Sequence, residues 1–161
     1  MGFPDYEEFI AALNGRKVRY LIVGAHAVAY HARPRATKDL DILLERTPAN
    51  ARKMLAVLRD FFGGKESGYT VDDLMDRRSI IQIGVAPVRI DLLADLPPWS
   101  PPFKTLWRSR VKARFGSVRA PYLALDDLIR TKELTGRMQD RADLRVLKRA
   151  QGRPRPTKRI R

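Results

Sequence analysis

The sequence predicts a mixed α/β (α+β) fold, in which a mixed β-sheet is flanked by helices and two further helices close the domain. Short runs of β-branched and aliphatic residues alternate with longer runs in which apolar residues recur at the helical period. Segments rich in glycine and proline separate the two kinds of run. The 161 residues suffice for one buried core, and the absence of cysteine excludes disulfides and thiolate metal sites.

The first part of the chain predicts two strands and two helices. Apolar residues at helical spacing predict a helix over residues 5–13, which Asn14-Gly15 ends. An aliphatic run predicts a first strand over residues 19–23. The alanine-rich residues 25–31 predict a short helix packed closely on the sheet, and an apolar run predicts a second strand over residues 40–45.

A longer helix and a hairpin follow. Thr47 is a favourable N-cap and Pro48 a favourable first helical residue, so we predict a helix over residues 49–62. Two runs rich in β-branched residues, 79–85 and 88–93, are separated by only two residues. This spacing predicts a β-hairpin.

The C-terminal third predicts a second hairpin and two helices. Residues 111–115 and 118–122 flank a glycine turn and are expected to pair. Residues 126–135 and 139–150 are expected to form the closing helices. We therefore predict a domain over residues 1–150.

The chain is strongly basic, with 32 Lys and Arg against 18 Asp and Glu and a net charge of +14. Residues 151–161 form a predicted C-terminal tail with five basic residues and no acidic one, which leaves an excess of nine positive charges on the rest. Such a surface favours RNA, DNA or nucleotides as partners. The alternative is a well-solvated basic surface without a polyanionic partner.

The N-terminus lacks the features of a signal peptide, and no apolar run approaches the length of a membrane span. We therefore expect a cytoplasmic protein without a membrane partner.

Three carboxylates occupy positions where a strand would normally be apolar. Asp39 and Asp41 lie two residues apart, so their side chains share one face of the second strand. Asp91 lies inside the second strand of the first hairpin. Close carboxylates repel each other and lose hydration, which a divalent cation would offset, and oxygen ligands are those that Mg²⁺ prefers. The pattern predicts a metal site of the kind used in two-metal phosphoryl transfer.

Gly24-Ala25, Asp39-Leu40-Asp41 and Asp91 together resemble the signature of the DNA polymerase beta nucleotidyltransferase superfamily. Residues 23–41 and 125–147 are similar to its AbiEii-like (abortive-infection) branch, which includes toxins of bacterial toxin–antitoxin pairs. Ala25 departs from the superfamily pattern, in which Gly or Ser usually follows the first glycine.

The resemblance implies a minimal nucleotidyltransferase fold and assigns roles to these residues. Asp39 and Asp41 would bind two Mg²⁺ (or Mn²⁺) ions, and Asp91 would bind one of them and accept the proton of the attacking hydroxyl. The backbone at Gly24 and Ala25 would approach the triphosphate at a helix N-terminus, where anions are favoured.

Further basic and polar residues are candidates for nucleotide binding. Arg35, Thr37 and Lys38 precede the first two acids and could neutralise phosphate charge, although a solvated basic loop is the alternative. Thr37 could instead cap the turn before the strand. Lys132 is expected on the inner side of its helix, facing either a phosphate or Asp140 and Asp143.

The predicted function is transfer of a nucleoside monophosphate from a nucleoside triphosphate to an acceptor hydroxyl. The basic surface favours RNA as the acceptor, for example a tRNA 3′ end, and the resemblance adds an antitoxin protein as a partner. Transfer to a small molecule or a protein is an alternative. A non-catalytic nucleic-acid- or partner-binding module on the same fold is another.

Overall fold

A computed structural model describes residues 4–34, 37, 39–85, 88–96 and 101–153. These residues form seven helices and six strands. In chain order the elements are α1 (Pro4–Gly15), β1 (Tyr20–Val23), α2 (Gly24–His31), β2 (Asp39–Leu44), α3 (Pro48–Phe61), α4 (Val71–Met75), β3 (Ile80–Val85), β4 (Val88–Leu93), α5 (Phe103–Arg108), β5 (Val111–Phe115), β6 (Val118–Tyr122), α6 (Leu125–Thr135) and α7 (Met138–Gln151).

The strands form one six-stranded mixed sheet in the order β3-β4-β2-β1-β6-β5. The β2–β4 and β1–β6 pairs are parallel, whereas β1–β2, β3–β4 and β5–β6 are antiparallel. This architecture confirms the predicted fold class, including both hairpins. The central strand β2 is paired on both sides, which explains why it is aliphatic at every position except those of the two acids.

Local sequence explains where the principal helices begin and end. The Thr47 hydroxyl accepts a hydrogen bond from the Asn50 amide, and Pro48 occupies the first turn of α3, as predicted. Gly136 adopts a left-handed conformation immediately after α6 and so allows the chain to reverse into α7. The core joins the sheet to α1 and α3 through fully buried side chains such as Phe9 and Met54.

Two short helices, α4 and α5, were not predicted. They contain five and six residues, too few for a helical repeat of apolar residues to be recognised. The last helix also extends one residue beyond its predicted end, because Gln151 belongs to α7 and its amide donates a hydrogen bond to Asp126 at 2.8 Å. Helix α7 thus includes the first residue of the predicted tail.

None of the helices in the described part of the chain is both apolar enough and long enough to cross a membrane.

Candidate active site

The three predicted acids lie on neighbouring strands at the centre of the sheet. Asp41 of β2 pairs directly with Asp91 of β4, and Asp39 pairs with Arg89. Directly paired residues of neighbouring strands point to the same side of a sheet, as do residues two apart on one strand. The sheet therefore presents Asp39, Asp41 and Asp91 on one face.

Arg89, which is not among the residues predicted from the sequence, lies among these carboxylates. One guanidinium nitrogen is 2.7 Å from Oδ2 of Asp39, and the Nε atom is 3.1 Å from Oδ1 of Asp91. A second nitrogen–oxygen contact to Asp91, at 3.2 Å, makes that pair bidentate. Arg89 could have been found from its position two residues before Asp91, since alternate residues of a strand share a face.

The backbone at Gly24 lies directly against the Asp41 carboxylate. Gly24 has a φ of +65°, and a Cβ atom at this position would overlap Oδ2 of Asp41. Glycine is required here for two reasons, the left-handed backbone and the lack of space. The turn between β1 and α2 thus holds the start of the helix next to the acidic residue.

Two effects destabilise the charged form of Asp41: its own burial and the negative charges of the neighbouring acids. Loss of hydration, followed by repulsion from Asp91 and Asp39, raises the pKa of Asp41 from 3.8 to about 7. The positive charges of Arg89 and Lys132 act in the opposite direction without cancelling the effect. A further cation close to Asp41 would favour its ionised form.

The start of α2 can accept an anion next to these acids. The helix begins at Gly24, and no side chain caps its N-terminus at Val23. Ala25 occupies the first turn and is partly exposed. Helix N-termini attract anions through their N–H groups and the helix dipole, so this end of α2 could approach a phosphate group held at the acids.

The structure gives Thr37 a local role. Its hydroxyl accepts a hydrogen bond from the Asp39 amide at 3.0 Å, so it caps the start of β2, the alternative that the sequence left open. This contact orients the backbone of the first acid. Arg35 and Lys38, the other two candidates in this segment, lie outside the described residues.

Lys132 lies in a buried ion-pair network between α6 and α7. Its ammonium is 2.9 Å from Oδ1 of Asp140 and 3.1 Å from Oδ2 of Asp143. Thr135 and Arg137 also donate hydrogen bonds to Asp140. Burial alone would raise the pKa of Asp140, but these hydrogen bonds outweigh it and hold the pKa well below its usual range. The structure thus shows the ion-pair alternative for Lys132, close enough to Asp41 to influence its charge.

An aromatic cluster supports the face of the site. The Tyr6 hydroxyl donates a hydrogen bond to the Arg89 carbonyl at 3.1 Å. The His26 ring packs against the rings of Tyr6 and Phe115, with centroids 5.8 and 5.1 Å away. Burial lowers the pKa of His26, whose Nε2 atom is buried without a hydrogen-bond partner. The neutral ring therefore acts as part of the packing.

The donor set fits a hard divalent cation by its chemistry, since three carboxylates share one face of the sheet. Among the described residues, however, no three acidic, histidine or cysteine side chains already surround a common metal position. Arg89 instead forms ion pairs with Asp39 and Asp91. Binding of Mg²⁺ or Mn²⁺ by all three acids therefore requires the Arg89 guanidinium to move away.

The chain is similar in structure to two proteins described as nucleotidyltransferases or as resembling them. One is a provisionally assigned nucleotidyltransferase from Thermotoga maritima, with a TM-score of 0.59 and 17% sequence identity over 95% of this chain and 97% of that one. The other is an antigenic nucleotidyltransferase-like protein from Paracoccidioides brasiliensis, with a TM-score of 0.54 and 12% identity over 91% of this chain and 74% of that one. The likeness shows a nucleotidyltransferase-like fold.

No protein-family model matches the sequence, and no curated protein is significantly similar to it.

Proposed function

We propose that this protein is a metal-dependent nucleotidyltransferase. The observation on which the proposal rests is the register of β2 and β4, which places Asp41 beside Asp91 and puts Asp39 on the same face. The contact of Gly24 with Asp41 adds a helix N-terminus suited to an anion. The fold shared with the two structural neighbours is consistent with this activity.

In this proposal Asp39, Asp41 and Asp91 hold the Mg²⁺ or Mn²⁺ ions once Arg89 has moved away. When bound, these ions would neutralise phosphate charge and lower the pKa of the attacking hydroxyl. The backbone at Gly24 and Ala25 binds the triphosphate, and Arg35, Thr37 and Lys38 contribute to nucleotide binding. Lys132 acts at longer range, through its charge and through the position of α6.

The reaction is an in-line displacement at the α-phosphorus of a nucleoside triphosphate. The acceptor oxygen forms a bond to this phosphorus while the bond to the bridging oxygen of the β-phosphate breaks, and pyrophosphate leaves. The Asp91 carboxylate takes the proton of the acceptor hydroxyl. Positioning and electrostatic stabilisation are the main contributions a protein makes to such a reaction.

For the acceptor we propose RNA, with a tRNA 3′ end as the first to test, because the net charge of +14 favours a polyanion. Membership of the AbiEii-like branch, and with it a toxin role and an antitoxin partner, is part of the same proposal. It rests on the resemblance of residues 23–41 and 125–147. A small-molecule or protein acceptor would leave the proposed chemistry at the acids unchanged.

The test is transfer of label from α-³²P-labelled nucleoside triphosphates with Mg²⁺ or Mn²⁺, using total RNA, an aminoglycoside and cell protein as separate acceptors. The wild-type protein should label RNA at its ends, and Asp41→Asn should reduce labelling by at least about 100-fold. Asp72→Asn, which changes an exposed acid of α4, is the matched control. Retention of activity by Asp41→Asn would contradict the catalytic assignment, whereas labelling of another acceptor alone would contradict only the choice of RNA.

A non-catalytic binding module is the second candidate, and the Arg89 ion pairs favour it. A guanidinium that already neutralises two of the three acids would suit a site that no longer binds metal.

The two candidates predict different Mn²⁺ binding in the presence of a nucleoside triphosphate, measured by electron paramagnetic resonance. An enzyme should bind Mn²⁺, and Arg89→Met should bind it several-fold more tightly. The control Arg78→Met, at a fully exposed arginine, should leave the affinity unchanged. Absence of Mn²⁺ binding by the wild-type protein would favour the module.

A further inference from the structure

A basic groove lies at the opposite edge of the sheet from β3, away from the three acids. It has a volume of about 560 Å³ and is lined by residues of β5, β6 and their surroundings. We call it the β5–β6 groove and define it by its four cationic residues, Arg110, Lys112, Arg114 and Arg119, together with Trp107. Its lining contains no Asp or Glu. The volume is within the range of ordinary ligand sites.

None of the four cationic residues of the groove forms an ion pair with a carboxylate of the described part of the chain. Arg114 and Arg119 are directly opposite each other in the β5–β6 pairing. Like charges at directly paired positions destabilise a sheet, and no described carboxylate offsets this pair. The arrangement therefore favours an anion supplied from outside the chain.

Arg110 is held in position over the groove rather than free in solvent. Its guanidinium carbon is 3.9 Å from the centre of the Trp107 ring, and its Nη1 atom donates a hydrogen bond to the Trp107 carbonyl at 2.8 Å. Phe103 stacks on the same indole at 5.7 Å. A guanidinium fixed in this way loses less conformational entropy when it binds a phosphate. The Arg19 guanidinium carbon is 5.6 Å from the centre of the same ring, so these three neighbours leave the indole poorly placed to stack on a base.

Protection of a sheet edge does not explain the whole set. Lysines and arginines on an edge strand often prevent pairing with another chain, and β5 is an edge strand. Arg119, however, belongs to the inner strand β6, and Arg110 precedes β5. The charges thus surround a groove rather than follow an exposed edge.

We propose that the β5–β6 groove binds the phosphodiester backbone of the RNA acceptor, an inference that rests on the proposed function. Four cations without an aromatic surface for bases recognise phosphates and not sequence. In the order of the sheet, β5 is three strands from β2. At the usual strand spacing these two strands lie about 14 Å apart across the sheet, which is within the reach of a short single strand of RNA.

The test is binding of a fluorescein-labelled single-stranded RNA of mixed sequence, measured by anisotropy between 50 and 200 mM KCl. EDTA is present and nucleotide is absent, so the result does not depend on catalysis. The double variant Arg114→Gln/Arg119→Gln should bind about 10-fold more weakly at 100 mM salt. Its plot of log affinity against log salt should be shallower by about 1.4, since each contact with a single-stranded phosphate contributes about 0.7.

The matched control is Arg52→Gln/Arg145→Gln, which removes two exposed arginines from α3 and α7 and causes the same change in net charge. An equal loss of affinity in this control would overturn the groove assignment. Tighter groove-dependent binding of single-stranded DNA or of polyglutamate than of RNA would overturn the choice of ligand.

A transfer assay separates this inference from the proposed function. If both are right, the groove variant raises the KM for RNA and leaves the KM for the nucleoside triphosphate unchanged. Groove-dependent RNA binding in a protein without transfer activity would support the groove and contradict the proposed function. If the groove variant transfers to RNA with unchanged RNA affinity and unchanged KM, the proposed function would be supported and the groove assignment contradicted.

Discussion

At the scale of single residues, the candidate site depends on how closely the backbone of one strand–helix turn approaches a carboxylate. Gly24 touches Asp41, and Arg89 touches Asp39 and Asp91. In each of these contacts a glycine backbone or an arginine side chain lies directly against a carboxylate of the site. A substitution that adds one methyl group and a substitution that removes one charge should therefore have different effects on stability and on metal binding.

Gly24→Ala should destabilise the protein and also disturb the acids. A left-handed alanine costs about 1–2 kcal/mol, and the new methyl group would in addition push against the Asp41 carboxylate. Gly63→Ala is the matched control, because Gly63 has a φ of +67° and no atoms near the position of a Cβ. Both variants should unfold at lower temperature, but only Gly24→Ala should weaken Mn²⁺ binding. Equal effects of the two variants on stability and Mn²⁺ affinity would show that the contact with Asp41 is unimportant.

Asp41→Asn should stabilise the metal-free protein at neutral pH. Folding raises the pKa of Asp41 from 3.8 to about 7, so its contribution to stability is greatest below pH 4 and is lost as the pH rises to 7. The variant has no such charge. In EDTA its thermal stability should therefore exceed that of the wild type by an amount that grows between pH 4 and 7 and then levels off. A variant less stable than the wild type at pH 8 in EDTA would refute this.

At the scale of elements, α6 and α7 are joined by charge as well as by apolar packing. Asp140 and Asp143 are almost fully buried, and Lys132 lies between them. Removing the Lys132 ammonium leaves buried charge without full compensation, which is the costly case for ion pairs. The network explains how α7, a helix with few apolar residues, is held against its neighbour.

Lys132→Met should cost about 3–5 kcal/mol and lower the melting temperature by on the order of 10 °C. Arg130→Met on the same helix removes an exposed pair with Glu133 and should change stability by less than about 1 kcal/mol. Thermal unfolding followed by circular dichroism at pH 7 measures both. Since folding lowers the pKa of Asp140, the stability from this network should be present above pH 4 and decline at lower pH. Nearly equal melting temperatures for the two variants would contradict this role of Lys132.

At the scale of the whole molecule, the excess of positive charge predicts a salt-dependent interaction with nucleic acid. Four of the basic residues, Arg155, Lys158, Arg159 and Arg161, follow the described end of the chain. Their positive charges attract nucleic acid at long range wherever they lie. The groove cations, in contrast, act from fixed positions.

Replacement of these four residues by glutamine should lower the net charge from +14 to +10 without changing chain length. RNA affinity should fall and its salt dependence should become shallower, because fewer counterions are displaced on binding. Anisotropy titrations at several KCl concentrations measure both quantities. Combined with the groove variant, the substitutions should have nearly additive effects on binding free energy. An unchanged salt slope would exclude a contribution from this segment.

Much of the fold followed from local patterns. The helix cap at Thr47 and Pro48 and the two hairpins needed only short-range information, and the structure has each of them. The short helices α4 and α5 escaped prediction because a single turn or two has too few residues to show a period. A capping box between Thr70 and Asp73 begins α4, and Leu74 of α4 and Leu106 of α5 are both buried.

For the site, the sequence by itself determined which residues are out of place: two acids in an aliphatic strand and a third in a hairpin. It also determined that Asp39 and Asp41 share a face, since this follows from the period of a strand. Only the tertiary structure decided that β4 lies beside β2 in parallel, with Asp91 level with Asp41, and that Arg89 and Lys132 form their ion pairs. Strand order and register depend on contacts between residues far apart in the chain, and local propensity carries no information about such contacts.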